Sequence, residues 1–162
     1  MSEIELKAEE CNCLAIRQAA RHVTQLYDHF LAPIGLRVTQ FSILARLKRL
    51  GPMTINELAR EMVMDRTTLG RNILPLERDG LIAVEQGADD RRRKELHLTD
   101  TGAARLRAAI KKWAQAQARF EETFGSTRTI ELRALLRAVT ASGFEAGATA
   151  EESGPIHGTR SA

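Results

Sequence analysis

The chain has 162 residues, 43% of them hydrophobic but only 4% aromatic, so it is long enough for one domain whose core must be mainly aliphatic. No apolar run is long enough to span a bilayer and residues 1–10 lack a signal-peptide pattern, which sets cytoplasmic residence with no membrane partner as the expectation. The net charge of +3 decides nothing about partners by itself, because residues 54–99 carry eight Lys/Arg against nine Asp/Glu.

In chain order, residues 8–32 are expected to form one long helix. Cys13, Ile16, Ala20, Val23, Tyr27 and Phe30 recur in steps of three and four, while Arg17, Gln18, Arg21 and Gln25 lie largely off that stripe. Pro33 and Gly35 end it, and a second helix fits Thr39 to Leu50, closed by Gly51-Pro52.

Residues 54–99 hold the densest information. Ile55, Leu58, Ala59 and Met62 have helical spacing behind Thr54 as cap. Asp65 can cap the next helix, whose Leu69, Ile73 and Leu76 point inward. Arg66, Thr67, Thr68, Gly70, Arg71 and Asn72 are then left on or beside the outer face, small hydrogen-bonding and cationic groups suited to base edges and phosphates. Pro75 has no N–H for the Arg71 carbonyl and is expected to bend this helix. After Gly80, residues 81–84 and 96–98 read as two strands around a polar turn containing Asp89, Asp90, Arg91, Arg92, Arg93 and Lys94. A run of arginines in isolation is as often a solvated loop as a contact surface. Its position after two short helices instead makes a winged helix-turn-helix, with the helix for the major groove and the hairpin tip for the adjacent minor groove.

A long helix is expected from Thr101 to Thr123, capped by Thr99 or Asp100. Leu106, Ile110, Trp113, Gln117, Phe120 and Phe124 form its seam, with Gln117 a polar exception. Gly125 breaks it, Ser126 caps again, and Ile130, Leu135, Leu136 and Val139 continue to about Phe144. The domain organisation read from this is a mainly α chain with a small β-wing: one domain over 1–145, DNA-binding over 54–99, helices for dimerisation at 8–32 and 101–145, and a disordered tail over 146–162. The same helical spacing would also serve an intramolecular bundle.

The ordered set D-R-T-T-L (65–69), L-E-R-D-G-L-I (76–82), D-D-R-R-R (89–93) and L-T-D-T-G (98–102) resembles the MarR family of multiple-antibiotic-resistance regulators, across roughly the first 145 residues. The resemblance implies a homodimeric repressor that binds a pseudo-palindromic double-stranded operator and releases it when an effector arrives. It places Arg92 at the wing tip, oriented by Asp90 through a charge-assisted hydrogen bond, with Arg91 and Arg93 as phosphate partners. Thr67, Thr68 and Arg71 are the foremost helix contacts, joined by Arg66 and Asn72. The first two helices would join the dimer core and flank the effector pocket.

Two effector readings stand. Members of the family that sense organic hydroperoxides carry a reactive Cys near the start of the first helix and a Tyr fourteen residues on. Cys13 and Tyr27 reproduce that spacing, Cys11 is a conceivable resolving thiol, and Val38 stands where that branch has a second Tyr. On one helix Cys11 and Cys13 would lie about 200° apart, and a core thiol with no role carries about equal weight. The other reading is an apolar cleft for a small phenolic acid with Arg17, Arg21 or His22 at its mouth. A metal is the weakest reading, since His22 and His29 are two turns apart, and no cofactor is expected. No Gly-rich phosphate loop or nucleophile elbow points to an enzyme. A winged-helix protein-interaction module without DNA binding is the competing function.

Overall fold

The computed structural model describes residues 10–87, 90 and 92–143. Its elements are α1 (Asn12–Leu31), a 3-10 turn (Ala32–Ile34), α2 (Val38–Leu50), β1 (Met53–Thr54), α3 (Ile55–Glu61), α4 (Arg66–Arg78), β2 (Ile82–Gln86), β3 (Lys94–Leu98), α5 (Asp100–Phe124) and α6 (Ser126–Ala141). The chain divides into two units, the first ending at Thr123 and the second beginning at Phe124. The class is mainly α with a small antiparallel sheet, as the apolar periodicities require.

The first unit is built around α2, α3, α4 and the sheet. Ile43, Leu44, Leu58, Leu69, Leu76, Leu81 and Ile82 are fully buried together, so the core is aliphatic, and its largest aromatic contribution is Phe41 stacked on Trp113 with centroids 5.9 Å apart. The sheet has three strands in the order β1-β3-β2. Ile82 pairs with Leu98 and Val84 with Leu96, and β1 adds Met53 against Leu96. The two-residue β1 was absent from the expected elements because it is too short to leave an alternation.

The chain ends of these elements are fastened by side chains. Thr54 Oγ1 accepts the Glu57 N–H at 3.3 Å while Glu57 Oε2 accepts the Thr54 N–H at 2.8 Å, a reciprocal box that starts α3. Asp65 Oδ1 accepts the Thr68 N–H at 2.8 Å and starts α4, which continues past Pro75 to Arg78. Thr99 Oγ1 accepts the Gly102 N–H at 2.9 Å and donates to the Gly80 carbonyl at 2.7 Å, tying α5 to the turn before β2. Gly102 is required there: a Cβ on it would stand 2.0 Å from the Leu81 carbonyl oxygen.

Three expectations need correction. Cys11 is extended (φ −74°, ψ 105°) and is the N-cap of α1, so it is not a helical residue and the angular comparison with Cys13 does not apply. The face of α5 turned to the core is Gly102, Leu106, Ala109 and Ala116, and Ile110 is exposed. Small residues at 109 and 116 let the helix approach closely, and Ile110 of the expected seam lies off the face that this chain itself buries. In the second unit, Ser126 opens α6 with no side-chain cap; Gly125, at φ 96°, takes the N-cap position. The expected tail over 146–162, residues 8 and 9 of the first helix and the last residues of the 101–145 helices lie outside the described residues.

Candidate nucleic-acid interface

Along α4 the buried residues are Leu69, Ile73 and Leu76. At 100° per residue, Thr67, Arg71, Leu74 and Arg78 fall on the opposite side, and all four are exposed. Arg66 and Thr68 are exposed beside this stripe and Asn72 is half-buried. The outer face is cationic because Arg71 and Arg78 fall on it, whereas Asp65 and Asp79 are confined to the helix caps and Glu77 lies to one side of it.

The individual side chains are differently committed. Thr68 donates its hydroxyl to Asp65 Oδ2 at 2.6 Å, and Asn72 donates from Nδ2 to the Thr68 carbonyl at 2.9 Å. Both therefore serve the first turn of α4 in this state. Hydrogen bonds from the Thr68 hydroxyl and, next, the Thr68 backbone N–H hold the Asp65 carboxyl below its ordinary range. Thr67 and Arg71 project without such ties on the outer stripe, and Arg78 Nε donates to Asp79 Oδ1 at 3.1 Å.

On the wing, Arg92 and Arg93 are exposed next to β3, and Arg91 lies outside the described residues. Asp90 Oδ1 accepts the Arg92 backbone N–H at 2.9 Å, and the Arg93 N–H donates to the Asp90 carbonyl at 3.0 Å. Asp90 thus shapes the turn, and the bond expected between its carboxylate and the Arg92 guanidinium is replaced by one to the backbone. Arg93 is also reassigned: its Nη2 donates to Glu57 Oε1 at 2.7 Å, joining the wing to α3. Glu57 was overlooked in the sequence, although Thr54-x-x-Glu57 is a capping-box signature.

The effector candidates are spread along α1. Cys11 and Cys13 are free, exposed thiols, and the Leu14 N–H donates to Cys11 Sγ at 3.4 Å. Exposure of Cys13 corrects its placement on a buried stripe; the buried part of α1 begins only toward Tyr27 and Leu31. Tyr27 is buried and its hydroxyl donates to Gln117 Oε1, which explains the one polar residue in the α5 seam. Arg17, Arg21 and His22 are exposed, and none lines the cavity of about 380 Å³ bounded by Asp28, Ala32, Gly35, Leu36, Arg37 and Gln40 at the other end of the helix. No group of three or more metal-ligating side chains occurs among the described residues.

A family model described as the MarR family matches residues 36–94, the α2-to-wing region just described. The M. tuberculosis transcriptional regulator MosR, solved in complex with DNA, is 39% identical; the match covers 83% of this chain and 99% of that one at a TM-score of 0.69. The chain belongs to the MarR family.

Two further relatives fit that placement. The transcriptional repressor CouR, solved on a 23-mer DNA duplex, is 29% identical with a TM-score of 0.74, covering 84% of this chain and 99% of that one. YwoH, an HTH-type transcriptional regulator of Bacillus subtilis, is 36% identical over 84 residues, 52% of this chain. The match spans 61% of that relative's own length. These MarR-family relatives are transcription regulators and not enzymes. No single helix among the described residues of this MarR-family chain is long and apolar enough to cross a membrane.

Proposed function

We propose that this MarR-family chain is a homodimeric, sequence-specific double-stranded DNA-binding transcription regulator that represses from a pseudo-palindromic operator. The observation that carries the reading is the exposed stripe of Thr67 and Arg71 on α4, opposite its buried face, together with exposed Arg92 on the wing. A helix of this chemistry suits a major groove, and a guanidinium on a hairpin suits the narrow groove beside it. Two half-sites need two copies, and exposed Ile130, Leu135, Leu136 and Val139 on α6 supply apolar surface for a partner copy. The alternative, a winged-helix module that binds protein and not DNA, would have little need for Arg92 at the wing tip.

The test is anisotropy titration of fluorescein-labelled duplexes that the wild-type chain has enriched from a random-sequence pool. Affinity should fall steeply with salt and should drop in Arg92→Ala, which remains folded. Binding that is indifferent to both sequence and salt would overturn the reading.

For release, the exposure of both thiols at the start of α1 favours oxidation at Cys13 over a phenolic ligand held by Arg17, Arg21 or His22. An organic hydroperoxide should release wild-type protein from the enriched duplex and spare Cys13→Ser. Equal release of both would assign the effector to another site.

A further inference from the structure

Leu74 is 64% exposed on α4, although the same helix buries Leu69, Ile73 and Leu76 completely or nearly so. It therefore completes no part of the chain's own core. It shares the outer stripe with Thr67 and Arg71, so a large apolar side chain sits in the middle of a cationic face. One turn earlier stands Gly70, in ordinary helical conformation and with nothing within 4 Å of where a Cβ would be. The fold does not require glycine there, in contrast to Gly102, and glycine weakens a helix interior relative to alanine. The space left by the missing side chain is open to a partner outside the chain.

The two residues are related by helix geometry. Side chains on an α-helix lean toward its N-terminus, so Leu74 lies over the turn that contains Gly70. The result is an apolar knob above an empty step, flanked by Arg71. In the major groove the only apolar group that a base presents is the C5 methyl of thymine. Resting on the DNA-binding reading above, we propose that Leu74 contacts a thymine methyl in each half-site and that Gly70 lets the helix backbone approach closely enough for that contact. Leu74 is then a residue that determines specificity, and Gly70 positions it.

The experiment uses the full chain and the enriched duplex, with each thymine replaced in turn by deoxyuridine, which removes the methyl and nothing else. At one thymine per half-site, wild-type affinity should fall about fourfold, the effect of one buried methyl-sized group. Leu74→Ala should bind the thymine and deoxyuridine duplexes equally. Gly70→Ala should unfold at the same or a higher urea concentration than wild type, yet bind at least fourfold more weakly.

If wild type binds no enriched duplex, the regulator reading itself fails. If it binds but no deoxyuridine substitution changes affinity, or if Leu74→Ala remains sensitive to the same substitution, the methyl contact alone is overturned. Full affinity in Gly70→Ala overturns the close approach. An exposed leucine that serves another protein instead would leave every DNA titration of Leu74→Ala like wild type.

Discussion

Arg93 Nη2 of the wing lies 2.7 Å from Glu57 Oε1 of α3, although the two residues are 36 apart in sequence. The same carboxylate accepts the Thr54 N–H and hydroxyl through its other oxygen, both at 2.8 Å. One side chain thus closes the start of α3 and anchors the hairpin. These bonds lower the Glu57 pKa from 4.5 to about 2, Thr54's backbone and hydroxyl contributing most and Arg93 adding to them. A depressed carboxylate pKa gives stabilisation that is full above 4.5 and is lost as the pH falls through about 2. Urea midpoints measured from pH 6 down to pH 2 should therefore decline more steeply in wild type than in Glu57→Gln, which starts lower at pH 6. Parallel curves for the two proteins would show that Glu57 is not coupled to folding.

The same pairing separates two neighbouring arginines. Arg92 is exposed, and its backbone N–H is held by Asp90, so its guanidinium can enter a groove without breaking the turn. Arg93 must surrender a charge-assisted bond to Glu57 before it can meet a phosphate. Arg92→Ala should cost about 1–3 kcal/mol of DNA affinity, and Arg93→Ala distinctly less, in anisotropy titrations at one fixed salt concentration. Arg93→Ala should lower the urea midpoint where Arg92→Ala does not. A reversed order of the two affinity losses would contradict the division of labour.

Much of this was legible in the residues because local chemistry and packing agreed. Thr54 and Asp65 are caps by type and position, and Leu69, Ile73 and Leu76 are apolar at the spacing that α4 buries. What was not legible depended on partners distant in sequence. Nothing near Gln117 announces Tyr27, and nothing near Arg93 announces Glu57. Cys13 illustrates a different gap: periodicity identifies a stripe, but it does not say how far along the helix the chain's own core extends. At Asp90, the residue type indicated a hydrogen bond correctly and the family resemblance assigned it to the wrong donor, because a short acidic side chain can reach the backbone two residues on.

Gly102 offers a sharp test of how α5 is mounted. An alanine Cβ would lie 2.0 Å from the Leu81 oxygen and 2.8 Å from Leu98 Cδ1. The first of these is backbone, held in place by the Thr99 N–H at 3.2 Å, so it has little room to yield. Gly102→Ala should destabilise the chain by about 3 kcal/mol or more, the upper range for overpacking, and Gly70→Ala should not. Urea denaturation of the two variants side by side measures the contrast. Similar midpoints would mean that α5 can tilt away from the wing without loss.

Val63 presents the opposite case, a residue whose replacement should help. It occupies the turn between α3 and α4 with φ 50°, the only non-glycine residue at positive φ among those described. The turn imposes this conformation: the Val63 N–H donates to the Arg60 carbonyl at 3.1 Å and the Met64 N–H to the Ala59 carbonyl at 2.9 Å, closing α3 in the left-handed manner usual for glycine. A β-branched side chain is especially strained there, and at 76% exposure it recovers little through burial. Relief of the left-handed conformation is worth about 1–2 kcal/mol, against roughly 0.5–1 kcal/mol for the greater freedom of glycine in the unfolded chain. Val63→Gly should therefore gain about 0.5–1 kcal/mol, seen as a Tm higher by about 1–4 °C. A lower Tm would mean that the Val63 side chain makes a stabilising contact that outweighs its backbone strain.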